Sequence, residues 1–594
     1  MQPISRRTFL KQMAAAGVAV TLFANRSFHL AFADAGPTVF KVRILHTNDH
    51  HARIEPVLDG ATPPQPLHGG VSRRHTLIES QRQSAGADLD VLLLDAGDVF
   101  QGTLYFNQYN GLADLEFYKA MQYHAIAIGN HEFDKGAQAL ADFMAKAADP
   151  AFVPPVNPAG SVAASVAIPV ISANINTTAA SPLNGKIVKN TIITLSKGAA
   201  AGKKIGIFGL TPPDTAILSN VGEGVTFVGN PDPDAPNTEL VNLINAQVTE
   251  LQSQGANAVI ALTHIGYALD KALAAKTTGV GLFLGGHSHT PLGPQPNKQG
   301  EYPTPVTNSA GDNVPVLTDW EWGRWLGVFD VGFDDQGRVS ELTGTPIEVI
   351  ANSTKTGYIE PNAAIETRIN TDYKPPLDVL RQQKVGETQV QLDGVRNNVR
   401  TRETNLGSLI ADVLLQKTRS DGAQVAITNG GGIRAPISVG NVTVGNVLEV
   451  LPFGNTIALV TLTGAQLLAA LENGVSQVEL IVGRFPQVAG LRFTYTTGYP
   501  ANRRILKVEI QQNDGSFVAL DPAANYRVAT NNFMLTGGDG YASFTQGTDK
   551  VDTGFIMADV VADYITANTP ITADKIKLGR ITAVYYRWFP YTVK

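Results

Sequence analysis

Six of the 11 histidines in this chain are concentrated in short polar turns, each following an apolar run. These turns are residues 48–51 (NDHH), 129–134 (GNHEFD), 263–264 (TH) and 285–289 (GGHSH), and residues 97–98 (GD) form a fifth turn of the same kind. In open α/β sheets, ligands collect beyond the carboxyl ends of the strands. The pattern therefore predicts a sheet that brings five turns to one crevice.

The remaining pattern supports an α/β architecture with two domains. From residue 38 onward, apolar runs alternate with polar turns and helical stretches, which indicates βα units over residues 38–355. The predicted strands are residues 39–46, 91–95, 125–128, 168–172, 204–210, 258–263 and 281–284. Ile365, Ile369 and Tyr373 recur every four residues before Pro375 and Pro376, which predicts a helical linker over 361–384. Val, Thr and Ile runs with Gly-rich turns then predict a smaller α+β domain over 385–594.

Composition excludes several classes of protein. The chain has 594 residues, 46 Lys and Arg against 52 Asp and Glu, a net charge of -6 and no cysteine. Without cysteine there is no disulfide framework, no thiolate zinc site, no Cys nucleophile and no lipoprotein anchor. The acidic balance argues against a nucleic-acid polymer as partner. No run of ~18 apolar residues follows the N-terminus, so we expect no stable membrane anchor.

The N-terminus has the pattern of an export signal. Arg6 and Arg7 precede an apolar stretch at residues 13–24, and residues 31–33 form a small-x-small cleavage signature. This predicts a twin-arginine signal peptide over residues 1–33, cleaved near Ala33, and hence a protein exported to the periplasm or outside the cell. The twin-arginine export machinery would then be a partner. A basic amphipathic start with no export function is the alternative.

The residue types in the histidine-rich turns suit one chemical task. Neutral imidazoles, carboxylates and an amide oxygen are ligands for divalent zinc, manganese or iron, and one Asp can bridge two ions. Two such ions polarise a phosphoryl oxygen and activate a water for hydrolysis. Each turn taken alone is more typical of a loop or a helix cap. Their joint occurrence favours a site with two divalent ions, of which zinc and manganese suit the ligand set best.

The ordered motifs NDHH, GD, GNHEFD, THIG and GGHSH resemble the calcineurin-like metallophosphoesterase domain of the 5′-nucleotidase family, over about residues 41–350. The resemblance implies an N-terminal four-layer αββα domain. It also implies that one metal is bound by Asp49, His51, Asp98 and His289, and the second by Asp98, Asn130, His264 and His287. His131 would contact the scissile phosphate and Asp134 would orient it. Some family members have an amide side chain where this chain has His289, and His50 is expected to point away from the metals.

Three features of the second domain concern the substrate. They are Arg400 with Arg402, the stretch 429–434 (NGGGIR), and the pair formed by 452–455 (PFGN) and 532–541 (NFMLTGGDGY). Glycines allow the backbone to approach a ligand closely, and an Arg guanidinium can form a bidentate pair of hydrogen bonds with phosphate. Taken singly, these features are typical of turns, core aromatics and solvated arginines. Together they resemble the substrate-binding domain of the same family over about 387–571.

That second resemblance implies specific roles. Phe453 and Phe533 would stack on the base, Asn429 and Asp539 would bind base and ribose edges, and Arg400 and Arg434 would hold phosphate or sugar, with Arg402 as a weaker candidate. In the family the two domains swing about the linker, so residues 361–384 are the expected hinge.

The resulting hypothesis is an exported di-metal phosphohydrolase of nucleoside 5′-monophosphates, with di- and triphosphates or UDP-sugars as further substrates. A 2′,3′-cyclic phosphodiesterase/3′-nucleotidase is one alternative, but such enzymes tend to carry Asn in place of Asp134 and tyrosines in place of the two phenylalanines. A manganese thiosulfohydrolase of sulfur oxidation is another. A binding or adhesion protein without turnover would be expected to lack ligands, and all seven positions are filled. The metal, the preferred base and the oligomeric state stay open at this point.

Overall fold

The computed structural model describes residues 18–22, 28–32, 35–58, 66–219, 221–296 and 298–584. The chain divides into two compact units, Met1–Pro375 and Pro376–Lys594. Their boundary falls inside the segment that the sequence predicts to be a linker. Of the predicted signal peptide only residues 18–22 and 28–32 are described. Arg6, Arg7 and the cleavage position Ala33 lie outside the described residues, so the export signal stays a prediction.

The first unit contains a mixed sheet of nine strands. Its main order is Val18–Leu22, Phe28–Phe32, Val339–Gly344, Trp325–Phe333, Phe40–Thr47, Val91–Asp95, Ala125–Ala127 and Val170–Ile171, and Ile347–Glu348 also pairs with Trp325–Phe333. The last four strands of the main order run parallel, and the others pair antiparallel. The parallel strands end at one edge of the sheet, where three of the polar turns begin.

The other two polar turns, at residues 263–264 and 285–289, follow strands of a second mixed sheet, which has six strands. Its order is Asn190–Thr194, Lys204–Leu210, Ala258–Thr263, Leu282–Gly285, Asn313–Leu317 and Thr304–Thr307, and the four central strands are parallel. Two small two-stranded sheets, Ile175–Thr177 with Val225–Phe227 and Val57–Leu58 with Pro66–His68, complete the unit.

Burial between the two large sheets forms the core of the first unit. Alternating residues of both sheets, such as Val42 and Ile44 in the first and Ile205 and Ile207 in the second, belong to one buried apolar cluster. The helices are Val71–Ala85, Leu104–Tyr109, Leu112–Met121, Gly136–Ala148, Thr215–Leu218, Thr238–Ser253 and Tyr267–Lys276. The longer helices cover the outer faces of the sheets because their apolar stripes, like the outward side chains of the strands, must be buried.

The segment that follows is helical. It consists of an α-helix at Ala363–Arg368, a π-helical turn at Ile369–Tyr373 and an α-helix at Lys374–Arg381. Pro375 and Pro376 directly follow the π-helical turn, and because proline has no backbone N–H they interrupt the hydrogen-bond ladder of this continuous helical segment. The buried Arg368 joins this segment to the first unit through two hydrogen bonds of 3.0 Å to the carboxylate of Glu116.

The second unit is built on a five-stranded sheet with a buried apolar cluster on each face. The order is Pro486–Ala489, Val425–Asn429, Asn525–Asn531, Thr456–Thr463 and Thr548–Ile556. A four-stranded sheet (Phe517–Ala519, Ile505–Gln511, Leu491–Tyr495 and Ile581–Ala583) and a pair (Lys384–Thr388 with Gly440–Thr443) accompany it. The helices are Arg396–Val399, Asn405–Thr418, Val444–Val450, Gly464–Val475, Asn532–Leu535, Ala542–Thr545 and Met557–Asn568. The predicted fold class, two domains of α/β type with a smaller α+β domain second, is confirmed.

Candidate metal centre and substrate residues

Every predicted metal ligand stands in a turn that directly follows a strand. Asp49 and His51 follow Phe40–Thr47, Asp98 follows Val91–Asp95, Asn130 follows Ala125–Ala127, His264 follows Ala258–Thr263, and His287 and His289 follow Leu282–Gly285. Five of these residues have positive φ: Asp49 (52°), His51 (51°), Asp98 (56°), His287 (73°) and His289 (45°). Left-handed backbone is costly for residues with a Cβ, and such conformations cluster at functional sites. The turns therefore adopt a costly backbone conformation that orients these side chains.

The donor atoms of these side chains converge. Three groups each bring one donor atom per residue within 4.8 Å of the others: Asp49, His51 and His289; His51, Asp98 and His131; Asp98, His264 and His287. Asp98 belongs to two groups, and its Oδ2 lies 2.8 Å from His264 Nε2. On the other side Asp49 Oδ1 lies 3.1 Å from His289 Nε2. Asp98 and His51 are thus each shared by two of the three donor groups.

The free donor atoms fit divalent cations. Asn130 Oδ1 is buried and has no hydrogen-bond partner among the described residues. His264 Nδ1 lies 2.6 Å from the carbonyl oxygen of Ala96, and His51 Nδ1 lies 3.2 Å from that of Phe100. When Nδ1 donates its proton to a carbonyl, the Nε2 lone pair is free for a metal. The set contains only nitrogen and oxygen donors, which suits zinc or manganese.

The electrostatics of the cluster also favour cation binding. Burial alone would raise the pKa of Asp49, but the imidazoles of His289 and His264 reverse this and lower it to about 2. Burial lowers the pKa of His51 and of His287 to about 3, so both rings are neutral at physiological pH. Burial also opposes the charged form of His264, yet the carboxylates of Asp98 and Asp49 raise its pKa to about 9, so a cation that binds at Nε2 would displace a proton. The carboxylates therefore carry negative charge that attracts positive charge into the site.

His131 and Asp134 form a hydrogen-bonded pair beside this cluster. His131 Nδ1 lies 2.7 Å from Asp134 Oδ2, and Ser219 Oγ donates to Asp134 Oδ1 at 3.0 Å. The backbone N–H of His131 donates to Asp98 Oδ1 at 3.0 Å, and His131 Nε2 lies 3.9 Å from Asp98 Oδ2. Burial raises the pKa of Asp134 despite the neighbouring imidazole. The pair fixes the ring so that Nε2 faces the donor cluster.

Glu132 supports the site in a way that the sequence interpretation missed. Its Oε1 accepts the backbone N–H groups of Val99 (2.7 Å) and Phe100 (3.1 Å), and its Oε2 accepts those of Asp98 (3.0 Å) and Gly129 (2.7 Å). Burial and the Asp98 carboxylate raise the pKa of Glu132 to about 7. The position of Glu132 inside the GNHEFD motif was the one sequence feature that pointed to a role in the site. The structure shows that the turn at residues 97–100 surrounds its carboxylate.

Gly129 explains why the two turns can approach so closely. A Cβ atom at this position would lie 2.1 Å from Asp98 Oδ1, a distance that no side chain tolerates. His50, between two ligands, contacts other groups: its Nε2 lies 3.1 Å from Asp114 Oδ1, and Arg74 donates to its Nδ1 at 3.2 Å. His50 therefore lies outside the three donor groups.

In the second unit, Asn429 and Asp539 are in direct contact. Asn429 Nδ2 donates to Asp539 Oδ2 at 2.7 Å, and Asn531 Nδ2 donates to Asn429 Oδ1 at 3.0 Å. Asp539 has φ 52° inside the turn Gly538–Gly540, and Asn473 donates to its backbone carbonyl at 3.2 Å. Asn473 and Asn531 were not predicted. Asn473 lies 66 residues from Asp539 in sequence, without a local motif linking the two.

The arginines and phenylalanines lie around the same turns. The Arg434 guanidinium packs over the Phe453 ring at 5.5 Å. Burial lowers the pKa of Arg400, with further lowering by Arg396 and Arg434. Phe453 and Phe533 are 39% and 43% exposed, an unusual state for two large apolar rings that is compatible with stacking on a ligand. Arg402, the weaker candidate, is exposed and lies 3.8 Å from Asp393.

Sequence comparisons agree with this arrangement. The chain matches the calcineurin-like phosphoesterase family over residues 42–291 and the 5′-nucleotidase C-terminal domain over residues 384–546. It is 34% identical to the 5′-nucleotidase of Bos taurus over 549 residues, covering 89% of this chain and 88% of that protein. This chain belongs to the 5′-nucleotidase family.

Two further relatives place the chain within the 5′-nucleotidase family. It is 37% identical over 563 residues to the trifunctional nucleotide phosphoesterase protein YfkN of Bacillus subtilis, covering 92% of this chain but only 35% of that longer protein. The crystal structure of a 5′-nucleotidase precursor from Thermus thermophilus is 40% identical, with a TM-score of 0.55 and coverage of 92% of this chain and 99% of that one. The resemblance inferred from the motifs is confirmed, and the chain is a metal-dependent phosphomonoester hydrolase of the 5′-nucleotidase type. Within the described residues, no helix combines the length and apolar character needed to cross a membrane.

Proposed function

We propose that this member of the 5′-nucleotidase family is an exported enzyme that removes the phosphate from nucleoside 5′-monophosphates with the help of two divalent cations, zinc or manganese. The observation that carries the proposal is the set of three donor groups, two of which share the carboxylate of Asp98, beside the His131–Asp134 pair. The named 5′-nucleotidases among the relatives support this choice of substrate.

The proposed metal ligands divide into two sets. Asp49, His51, Asp98 and His289 would hold one cation, and Asp98, Asn130, His264 and His287 would hold the other. Bound cations supply Lewis acidity and an activated water at neutral pH. The chain itself supplies fixed positions for the donors, since the Nδ1 atoms of His51 and His264 face backbone carbonyls.

His131 acts on the substrate rather than on a metal in this proposal. Asp134 accepts its Nδ1–H and stabilises positive charge on the ring, which leaves Nε2–H to donate to a phosphate oxygen or to the leaving group. Loss of a positioned acid or charge-stabilising group typically costs roughly 10²–10⁴-fold in rate. Because the ring is held at both Nδ1 and the backbone N–H, little reorganisation is needed during the reaction.

The second unit would bind the nucleoside. Phe453 and Phe533 would stack on the base, and Asn429 and Asp539 would bind the polar edges of base and ribose. Arg400 and Arg434 would hold phosphate or sugar, and each stacking contact is worth ~1–3 kcal/mol. Nucleoside di- and triphosphates and UDP-sugars are further proposed substrates, because arginines accept any of these anions. The helical segment 361–384 is the proposed hinge.

The test is a substrate panel on the mature protein with added Mn²⁺ or Zn²⁺. We expect phosphate release from AMP, and a loss of at least about 10²-fold in kcat for Asp98→Ala and His131→Ala. His124→Ala is the matched control, because this histidine lies outside the donor groups. Retained AMP hydrolysis in both site variants would refute the site. Preferential cleavage of 2′,3′-cyclic AMP, or sulfate release from a thiosulfonate, would favour one of the two rival activities.

Export by the twin-arginine machinery is a separate part of the proposal. Arg6 and Arg7 before an apolar stretch support it. Replacement of both arginines by lysine should retain the precursor inside the cell, whereas the parent chain should be found outside the cytoplasm with its N-terminus near residue 34. An unchanged distribution would refute this route. Neither a nucleic-acid polymer nor a membrane anchor is part of the proposal.

A further inference from the structure

The segment Trp320–Arg324 has an unusual backbone beside the donor cluster. Trp320 (φ 68°) and Trp322 (φ 59°) both adopt the left-handed conformation. A bulky residue in that region is a genuine outlier, and two in one five-residue segment must be over-determined by their surroundings. The sequence of residues 320–325 (WEWGRW) alone indicates only a packing role.

The surroundings of this segment are two of the proposed metal ligands. The backbone N–H of Trp322 donates to the carbonyl oxygen of Asp49 at 2.7 Å, and Asn48 Nδ2 donates to the carbonyl oxygen of Trp320 at 2.6 Å. The same Asn48 amide also donates to Asp49 Oδ2 at 2.6 Å. The left-handed turn therefore holds the backbone and the carboxylate of Asp49 from one side.

Between the two tryptophans, Glu321 reaches the other ligand. Its Oε2 lies 2.7 Å from His289 Nδ1, and its Oε1 lies 3.4 Å from Arg324 Nη1. The Arg324 guanidinium packs over the rings of both Trp320 (4.9 Å) and Trp322 (4.3 Å). The guanidinium of Arg324, packed against the two indole rings, thus lies beside the Glu321 carboxylate. The other oxygen of Glu321 is placed to accept the Nδ1–H of His289.

His289 differs from His51 and His264 in the partner of its Nδ1 and in its exposure. The Nδ1 atoms of His51 and His264 face backbone carbonyls, and their side chains are 6% and 0% exposed. His289 is 25% exposed, and its Nδ1 faces a carboxylate instead. A carboxylate partner fixes the tautomer and ring orientation and raises the basicity of the free nitrogen, here the Nε2 that lies 3.1 Å from Asp49 Oδ1.

We propose that Glu321 is a positioning residue for His289, and that it sets the affinity of one of the two cation sites, the one formed with Asp49 and His51. The inference rests on the proposed function for the existence of the two sites. It extends that function by assigning Glu321 to the site that contains His289.

The experiment titrates metal-free full-length protein with Mn²⁺ and follows binding by calorimetry and by the EPR signal of free Mn²⁺. We expect two ions per chain in the parent protein. Glu321→Ala should weaken the binding of one ion by about 10–100-fold, and Glu321→Gln should weaken the same ion less, because the amide oxygen still accepts a hydrogen bond. The second ion should change by no more than about twofold.

A matched control is available in the same unit. Glu348 Oε1 lies 2.9 Å from His68 Nδ1, which is also a His–Glu pair but involves no proposed ligand. Glu348→Ala should leave both Mn²⁺ affinities within about twofold of the parent. Melting temperatures of the metal-free variants separate a fold defect from a metal effect, and Glu321→Gln preserves the side-chain volume should Glu321→Ala fail to fold.

A double-mutant cycle tests whether Glu321 acts through His289. In a His289→Ala background, Glu321→Ala should have no further effect beyond about twofold. The proposal is overturned if the parent binds fewer than two ions, if Glu321→Ala and Glu321→Gln leave both affinities unchanged or lower both equally, or if their effect persists without His289. A parent protein that binds two ions with this dependence but releases no phosphate from AMP would instead refute the proposed function.

Discussion

Replacing Glu132 by glutamine changes one oxygen of the side chain and little else. The carboxylate accepts four backbone N–H groups, two at each oxygen, from the turn that carries Asp98 and from Gly129. An amide retains one oxygen and directs its NH₂ group at two of the four donors. Two buried donors therefore lose their acceptor whichever way the amide is turned.

The expected magnitudes follow from that count. At a pH above the raised pKa of Glu132, about 7, the carboxylate is charged, and hydrogen bonds to a charged group are worth about 1.5–3 kcal/mol each. The loss of two should then lower the free energy of unfolding of the first unit by roughly 3–6 kcal/mol. The turn at residues 97–100 should also shift, because two N–H groups must find other partners. Since misplacement by ~1 Å can cost 10²-fold in rate, we expect kcat for AMP to fall by about that factor at saturating Mn²⁺.

Denaturant unfolding of Glu132→Gln followed by tryptophan fluorescence measures the first effect. Trp320, Trp322 and Trp325, three of the four tryptophans, lie in the first unit. The matched control is Asp334→Asn: this carboxylate also accepts three backbone N–H groups, from Gly36 (2.9 Å), Gln336 (3.0 Å) and Arg338 (2.9 Å), but lies outside the donor groups. It should lower stability and leave kcat unchanged.

Two results would refute the reasoning. Glu132→Gln with unfolding free energy within about 1 kcal/mol of the parent would mean that the four N–H contacts carry little energy. If Asp334→Asn lost kcat as severely as Glu132→Gln, the rate effect would come from general destabilisation and not from the turn that carries Asp98.

Three further predictions concern other parts of the chain. Burial lowers the pKa of His124 to about 4 from 6.5, and its Nδ1 accepts the N–H of Leu93 (3.1 Å). Since the unfolded state binds the proton first, the stability advantage of the parent over His124→Gln should shrink by about 2–3 kcal/mol as pH falls from 7 to 4, and a constant difference in pH-dependent denaturation would contradict this. Arg368→Met leaves the buried Glu116 carboxylate without its bidentate partner, so the free energy of unfolding should fall by about 3–5 kcal/mol, and a loss below about 1 kcal/mol would show that the ion pair is dispensable. Phe453→Ala should raise KM for AMP by roughly 5–150-fold with kcat nearly unchanged if the ring stacks on the base, whereas an unchanged KM would exclude it from the substrate site.

Much of the first unit was predictable because parallel strands are short, apolar and followed by recognisable turns. The predicted strands 91–95, 204–210 and 258–263 coincide with those observed, and 39–46 is displaced by one residue at each end. The antiparallel strand Trp325–Phe333 was not predicted. Gly327, Asp330 and Gly332 interrupt its apolar residues, so its sequence shows neither a continuous apolar run nor a regular alternation.

The donor residues were predictable for a different reason. Each polar turn alone is typical of a loop or a helix cap, but their joint occurrence after successive strands indicated a shared site, and the family resemblance implied the individual ligands. Glu132 and Glu321 could not be assigned in this way. Three of the four backbone N–H groups that Glu132 accepts lie more than 30 residues away, and Glu321 contacts a ring 32 residues away, so no local spacing connects either carboxylate to these partners.

The most direct test of the whole account is anomalous diffraction from crystals of the protein soaked in Mn²⁺. We expect two strong peaks ~3.5–4 Å apart, one on each side of the Asp98 carboxylate, with His289 at the first and Asn130 at the second. A single peak, or peaks remote from Asp98, would contradict the central claim that this carboxylate serves two cations at once.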